Sequence, residues 1–371
     1  MRAVLFPALV LFSACTDEED DTSEESQPIL AELSPERFGN WEDGLDVPRD
    51  LEFNPLVDGE LWVVNRTDDS VSIFFDAGTE QQTSEHIVDS FALHFMEEVS
   101  SMAFGAVTWE GSDSPTFGTC QESRNTYNDQ APPNDFMGPA LWTADLDYFG
   151  LPNPEAIEFL GGADLGSHLD MLHESPLCMG MAWDEENVYW VFDGSAGNIV
   201  RYDFAEDHGL GYDDHSDGDI ARYVEAEVER VEDVPSHMVI DQSTKLLYIV
   251  DTGNNQITVL DTASGDFGEP LRSIEPGTAH YTVEGIDYST LIDGSEIEGM
   301  DVPSGIALVD DRLLITDNQS NTIFLFDLQG NLLEERTFSN LEPGAMMGIE
   351  ARALDDIWFV DAVDNRLFNL R

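Results

Sequence analysis

One spacing recurs five times in this chain and limits what it can fold into. An apolar run closes on Asn or Asp at Asn65, Asp193, Asp251, Asp317 and Asp361, and six residues later an aliphatic residue restarts it, at Val71, Ile199, Ile257, Ile323 and Leu367. The residues between are Gly, Asn, Asp and Ser in most copies, which favour tight turns. Short β-rich runs bounded by such clusters read as strands. The fullest unit is Val234–Asp261, a three-strand meander with turns at Asp241–Lys245 and Thr252–Asn255. A single meander cannot bury both of its faces, so the units are expected to stack on one another.

Six units open at Val47-Pro48, Val99-Ser100, Ser175-Pro176, Val234-Pro235, Val302-Pro303 and Gly344-Ala345. The second is degenerate, with Ala140–Ala144 expected as its second strand. Two stretches interrupt the repeat: Glu110–Gly138, which contains Cys120, and Gly161–Glu174, which contains His168 and His173. Long loops in a repeat protein are usually functional or disordered. The segment His208–Gly218 is expected to extend the outer part of the third unit, with His86, His208 and His215 in solvent. The recurrent Asp residues fall between strands, where a carboxylate caps the turn's own N–H groups.

The run Pro-Ser-Gly-Ile-Ala at Pro303–Ala307, followed by strand, Asp, turn and strand, resembles the NHL repeat. That resemblance covers residues 29–371 and implies an all-β, six-bladed β-propeller. It implies nothing about activity. The sixth unit ends at its third strand, Phe368–Arg371, and a closed ring leaves no open edge. An amino-terminal strand, Ile29–Leu33 or Arg37–Trp41, is expected to complete the last blade.

Met1–Ala14 has a basic start and a short apolar run, the pattern of a secretory signal. Leu11–Cys15 resembles the lipobox of bacterial lipoproteins, with Phe12 where Leu is usual, which implies lipidation at Cys15. An ordinary signal peptide is the alternative. Residues 15–28 then form an acidic, disordered tether. The expected location is the outer membrane, periplasm or cell surface, with the membrane reached only through the lipid. Fifteen basic residues against 76 acidic ones give a net charge of −61, which repels nucleic acid and anionic lipid and attracts cations. Acidic surfaces of this kind also suit salty water, where ions screen the self-repulsion.

Counting two residues past each unit's Pro position, and three past Ala345 in the sixth, puts Asp50, Met102, Cys178, His237, Gly305 and Gly348 around the channel, with His173 at its rim. The peptidyl-α-hydroxyglycine lyase branch of NHL-like propellers holds zinc with histidines from several blades; only His237 matches here. Lactonase and paraoxonase-like propellers hold channel Ca²⁺ with carboxylates and an Asn; Asp50 matches. Asp50 and His237 are thus the candidate metal ligands, for Zn²⁺ or Ca²⁺. The alternative for His237 is a pore histidine bonded to a backbone carbonyl. Cys120 and Cys178 are expected to pair in an oxidising compartment, free thiols being the alternative. The functional expectation is a monomeric binding or scaffold module for an envelope protein or small molecule. A metal-dependent lyase or hydrolase working in the channel is the second reading.

Overall fold

The structure, a computed structural model, describes residues 29–124, 136–212 and 214–371. The signal segment, the tether and Cys15 lie outside the described residues. Six sheets, antiparallel except for one parallel pairing in the third, are arranged as the blades of a β-propeller. The innermost strands are Pro48–Phe53, Val99–Phe104, Cys178–Glu185, Met238–Asp241, Pro303–Val309 and Met346–Ala353. Among the described residues no helix is long and apolar enough to cross a membrane.

Blades form because each meander buries one face against the blade before it and the other against the blade after it. Among the described residues, six apolar clusters fill the six blade interfaces. Val64 and Ile73 of the first blade meet Phe117 and Trp142 of the second. Leu51 and Val63 of the same first blade meet Trp358 and Val360 of the sixth, which closes the circle. Burying each such side chain contributes roughly 1.5–3 kcal/mol. Trp62, Trp190 and Trp358 occupy the same place in their second strands. Each donates its indole N–H to an acid at the preceding hairpin, Glu60, Asp184 or Asp356, at 2.8, 3.0 and 2.8 Å.

Three of the four recurrent carboxylates cap their own turns as expected; Asp251 instead accepts the Glu229 N–H and the side-chain amides of Asn254 and Gln256. Asp317 Oδ1 accepts the N–H groups of Gln319 and Ser320, at 3.1 and 2.8 Å. Its Oδ2 accepts those of Asp301 and Val302, at 2.7 and 2.6 Å, tying the turn to the connection from the preceding blade. Asp193 and Asp361 cap their own turns the same way.

The ring closes through an amino-terminal strand, Pro35–Gly39, antiparallel to Arg366–Leu370. It overlaps the expected Arg37–Trp41 but stops at Gly39, because Asn40 opens a capped 3-10 turn over Trp41–Asp43. The expected alternative, Ile29–Leu33, forms no strand; the N–H groups of Ile29 and Leu30 are held by the Glu334 carboxylate.

Two expectations are corrected. The second strand of blade two is Thr116–Gln121, inside the stretch taken as insertion, and Ala140–Thr143 is the third strand. Blade three has six strands rather than four. The hairpin Asp266–Pro270 and Ala279–Glu284, inserted in blade four, adds to its outer edge by parallel pairing with Asp219–Tyr223.

Candidate functional site

Strand pairing fixes which residues share a level of the axis. Asp50, Gly180 and Ser101 pair with Val64, Phe192 and Cys120, which hold equivalent places in their second strands. His237 is held by Val250 at the same place in blade four. The ring is therefore Asp50, Ser101, Gly180, His237, Gly305 and Gly348. Counting from Pro went one residue too far in blade two, where Ser replaces Pro. It fell two short in blade three, where Leu177 turns into the left-handed region at φ 56° and the strand bulges between Cys178 and Gly180.

This ring is the floor of a cavity. Asp50 Oδ2 accepts the Ser101 hydroxyl at 2.8 Å and the Met102 N–H at 3.0 Å, and Oδ1 accepts the Leu51 N–H at 2.9 Å. His237 reaches across from the opposite blade: Nε2 bonds Ser100 O at 3.0 Å and Nδ1 stands 3.4 Å from Asp50 Oδ1. The bond to a backbone carbonyl is the pore-histidine arrangement. Glycine is required on the rest of the floor because backbones touch there. A Cβ on Gly180 would sit 1.9 Å from Ser236 O, and one on Gly305 2.5 Å from Met347 O. Beneath the floor, Arg66 pairs with Asp233 at 2.8 Å and Arg230 with Glu122 at 3.0 Å.

Above the floor, toward the finishing ends of the inner strands, lies a cavity of about 250 Å³. Its next level, two residues along each strand, is Glu52, Ala103, Ala182, Val239, Ala307 and Glu350. Phe104, Trp183, Leu308 and Gln242 stand nearer its mouth. Three carboxyl groups, those of Asp50, Glu52 and Glu350, line the cavity, and no Lys or Arg does. Burial pushes the Glu52 carboxyl well above the usual range and the charge of Glu350 adds to it, while the Phe104 N–H, at 2.5 Å, opposes the rise. Burial, then the charge of Asp50, pushes Glu350 up to about 8. At neutral pH Glu350 is therefore mainly protonated.

The two residues beyond the floor went unseen in the sequence. Their signal was present: Glu stands two places after the ring position in the adjacent first and sixth blades, where the other blades have Ala or Val. Met102 lines the cavity; Cys178 and His173 do not. Cys178 is buried and joined to Cys120 by a disulfide, with Cα atoms 5.3 Å apart. The bridge links the second strand of blade two to the first of blade three. His173 is buried between Phe136, His94 and Glu275, away from the cavity lining. His215 is buried as well, against Asp170, rather than in solvent.

A zinc site built from several histidines does not fit the channel, since His237 is its one histidine among the cavity-lining residues and bonds Ser100 O. Nor do the channel carboxyls form a ready cage for a single ion. Among the described residues, the one grouping of three ligand atoms mutually within 4.8 Å lies elsewhere, at Asp170, His208 and Asp217.

No family model matches the sequence, and no curated protein matches it. Solved structures do. A luciferin-regenerating enzyme is similar at 12% identity, with 91% of this chain and 95% of that one covered and a TM-score of 0.53. An auxiliary nutrient binding protein from Bacteroides thetaiotaomicron is similar at 12% identity, covering 87% of this chain and 68% of that one, TM-score 0.52. A calcium-binding protein, regucalcin, from Agrobacterium tumefaciens has 12% identity, 91% and 93% coverage and a TM-score of 0.49. At these identities the likeness to the first two, with TM-scores above 0.5, shows the fold alone, and the class it defines is the six-bladed β-propeller.

Proposed function

We propose that this protein is an exported, lipid-anchored binding module of the bacterial cell envelope, and that its axial cavity holds a small organic cation. The observation that carries the reading is a half-enclosed cavity of about 250 Å³ lined by three carboxyl groups and no basic side chain. Burying carboxyls without counter-charges is costly, and a positively charged ligand supplies what the walls lack. The volume, just below the usual range for ligand sites, suits a small molecule. Carboxyls spread over two levels suit a ligand with separated donors better than one ion.

Export is supported by the Cys120–Cys178 disulfide, since such bonds persist in oxidising compartments. Lipidation rests on Ser13-Ala14-Cys15. Mass spectrometry of the mature protein should find a diacylglyceryl group on Cys15; an unmodified amino terminus elsewhere would refute it. Against the cavity, 1,4-diaminobutane should bind at pH 7 in titration calorimetry while the neutral isostere 1,4-butanediol does not. The doubly substituted Glu52→Gln, Glu350→Gln protein should lose that preference. Equal binding of both compounds by the parent protein contradicts the reading.

A second reading, an extracellular lyase or hydrolase, draws on Glu350. A carboxyl kept protonated at neutral pH beside a second acid is what general acid catalysis requires. The metal in that reading is tested by metal content: zinc or calcium at one equivalent that is lost on Asp50→Asn supports it, and none opposes it.

A further inference from the structure

Histidines are sparse in this chain, yet His208 and His215 meet two carboxylates on the outer edge of the propeller, outside the lining of the axial cavity. Asp170 sits in a two-residue strand, Asp170–Met171, the outermost of blade two. Its Oδ1 is satisfied, accepting the Met171 N–H at 2.6 Å and facing His215 Nδ1 at 2.7 Å. Its Oδ2 is not: the residue is 1% exposed and, among the described residues, this oxygen has no hydrogen-bond donor. A buried carboxylate oxygen without a donor is costly, and a cation is a partner that satisfies it.

What Oδ2 faces is His208 Nε2, at 3.9 Å. Asp217 Oδ1 lies 2.8 Å from the same nitrogen. Three ligand atoms thus converge: Asp170 from the strand, and His208 and Asp217 from the connection that follows Asp203 in blade three. The loop is held over the strand by its backbone. The His208 N–H donates to Leu169 O at 3.4 Å, and the Gly211 N–H to His168 O at 2.8 Å. Asp217 is braced by the Glu206 N–H on its other oxygen, at 3.2 Å.

We infer that Asp170, His208 and Asp217 form a binding site for a divalent transition metal, zinc by preference, which pins this loop to the outer edge of blade two. The donor set is one imidazole and two carboxylates. Imidazole suits zinc, copper, iron and nickel, and is not a ligand that Ca²⁺ or Mg²⁺ selects. Ligands at zinc distances of about 2.1 Å stand about 3.4 Å apart around a tetrahedron. The present separations of 2.8 and 3.9 Å straddle that value, so side-chain rotation suffices. As a ligand His208 uses Nε2 as a neutral donor, exchanging its contact with Asp217 for the ion. His215 on the other oxygen of Asp170 is the outer partner that orients a ligating carboxylate. Asp217 is exposed and His208 half-buried, which gives the ion a route in and leaves its fourth position to water. The net charge of −61 over the whole chain raises the local concentration of any divalent cation. This site is independent of the cavity and of the ligand proposed for it.

The test is titration of chelator-stripped protein with Zn²⁺, and with Co²⁺ as a spectroscopic probe, in high salt to suppress general attraction. The parent protein should bind one tight equivalent of Zn²⁺, and the Co²⁺ form should show visible ligand-field absorption. His208→Ala and Asp217→Asn, both near the surface and checked for folding by circular dichroism, should each weaken Zn²⁺ binding at least tenfold and abolish the Co²⁺ band. His86→Ala, remote from the cluster, should change neither. Absence of a tight equivalent in the parent protein overturns the inference. So does retention of parental affinity and spectrum in folded His208→Ala and Asp217→Asn proteins, which would mean diffuse attraction to the acidic surface.

Discussion

Replacing Glu350 by Gln should make the protein more stable, and increasingly so as pH rises. The Glu350 carboxyl is raised from 4.5 to about 8, burial being the main cause and Asp50 the next. A raised folded-state value means that the folded protein holds this proton more tightly than the unfolded chain. The resulting stability is complete below pH 4.5 and is lost as pH climbs toward 8. Each pH unit in that window costs about 1.4 kcal/mol, so moving to pH 7 costs about 3 kcal/mol. Water at the cavity mouth screens part of this, leaving about 2 kcal/mol. Glutamine keeps the shape and hydrogen-bonding capacity without the titration. The general repulsion among the acidic residues is common to both proteins and cancels in the difference. Urea denaturation at pH 5, 7 and 8.5 in constant salt measures it. The two midpoints should nearly coincide at pH 5 and separate by about 2 kcal/mol at pH 7, with unchanged slopes. Curves that stay parallel from pH 5 to 8.5 would refute the reasoning, because Glu350 would then titrate like an exposed carboxyl.

Replacing Cys120 and Cys178 by Ser should cost about 4 kcal/mol in the chain-entropy account of a bridge spanning 58 residues, read as a drop in denaturation midpoint; an unchanged midpoint argues against it. Gly180→Ala puts a Cβ 1.9 Å from Ser236 O, so the floor must part by more than an ångström at a cost of about 3 kcal/mol, and a variant with parental melting temperature contradicts backbone contact there. Asp317→Ala removes the acceptor of four backbone N–H groups and should cost about 3 kcal/mol or more in the same assay, with Ser320 and Val302 amides exchanging faster. Unchanged exchange at those amides would deny the capping role.

The blades were legible in sequence because the turn carboxylates repeat with one spacing and their hydrogen bonds are local. Asp193, Asp317 and Asp361 do in the structure what turn chemistry requires of them. The disulfide could be read because few cysteines limit the pairings. Positions at the axis were harder, since register there depends on bulges that turn residues do not encode. Cys178 was misplaced by the bulge before Gly180, and Met102 by the absence of Pro from its unit. Glu52 and Glu350 lie 298 residues apart and become neighbours only through ring closure, so nothing local relates them. The cluster around Asp170 depends in the same way on a loop of blade three folding over an edge of blade two.

The central claim, that the axial cavity takes a cation in exchange for carboxyl protons, is tested most directly by counting those protons. Titration calorimetry of 1,4-diaminobutane binding at pH 7, repeated in buffers of different ionisation enthalpy, gives the number released per ligand. With Glu350 raised to about 8, the parent protein should release close to one proton or more, Glu52 adding to the count. The Glu350→Gln protein should release about one fewer. Binding with no proton release in either protein would contradict the claim, since the ligand would then sit away from these carboxyls.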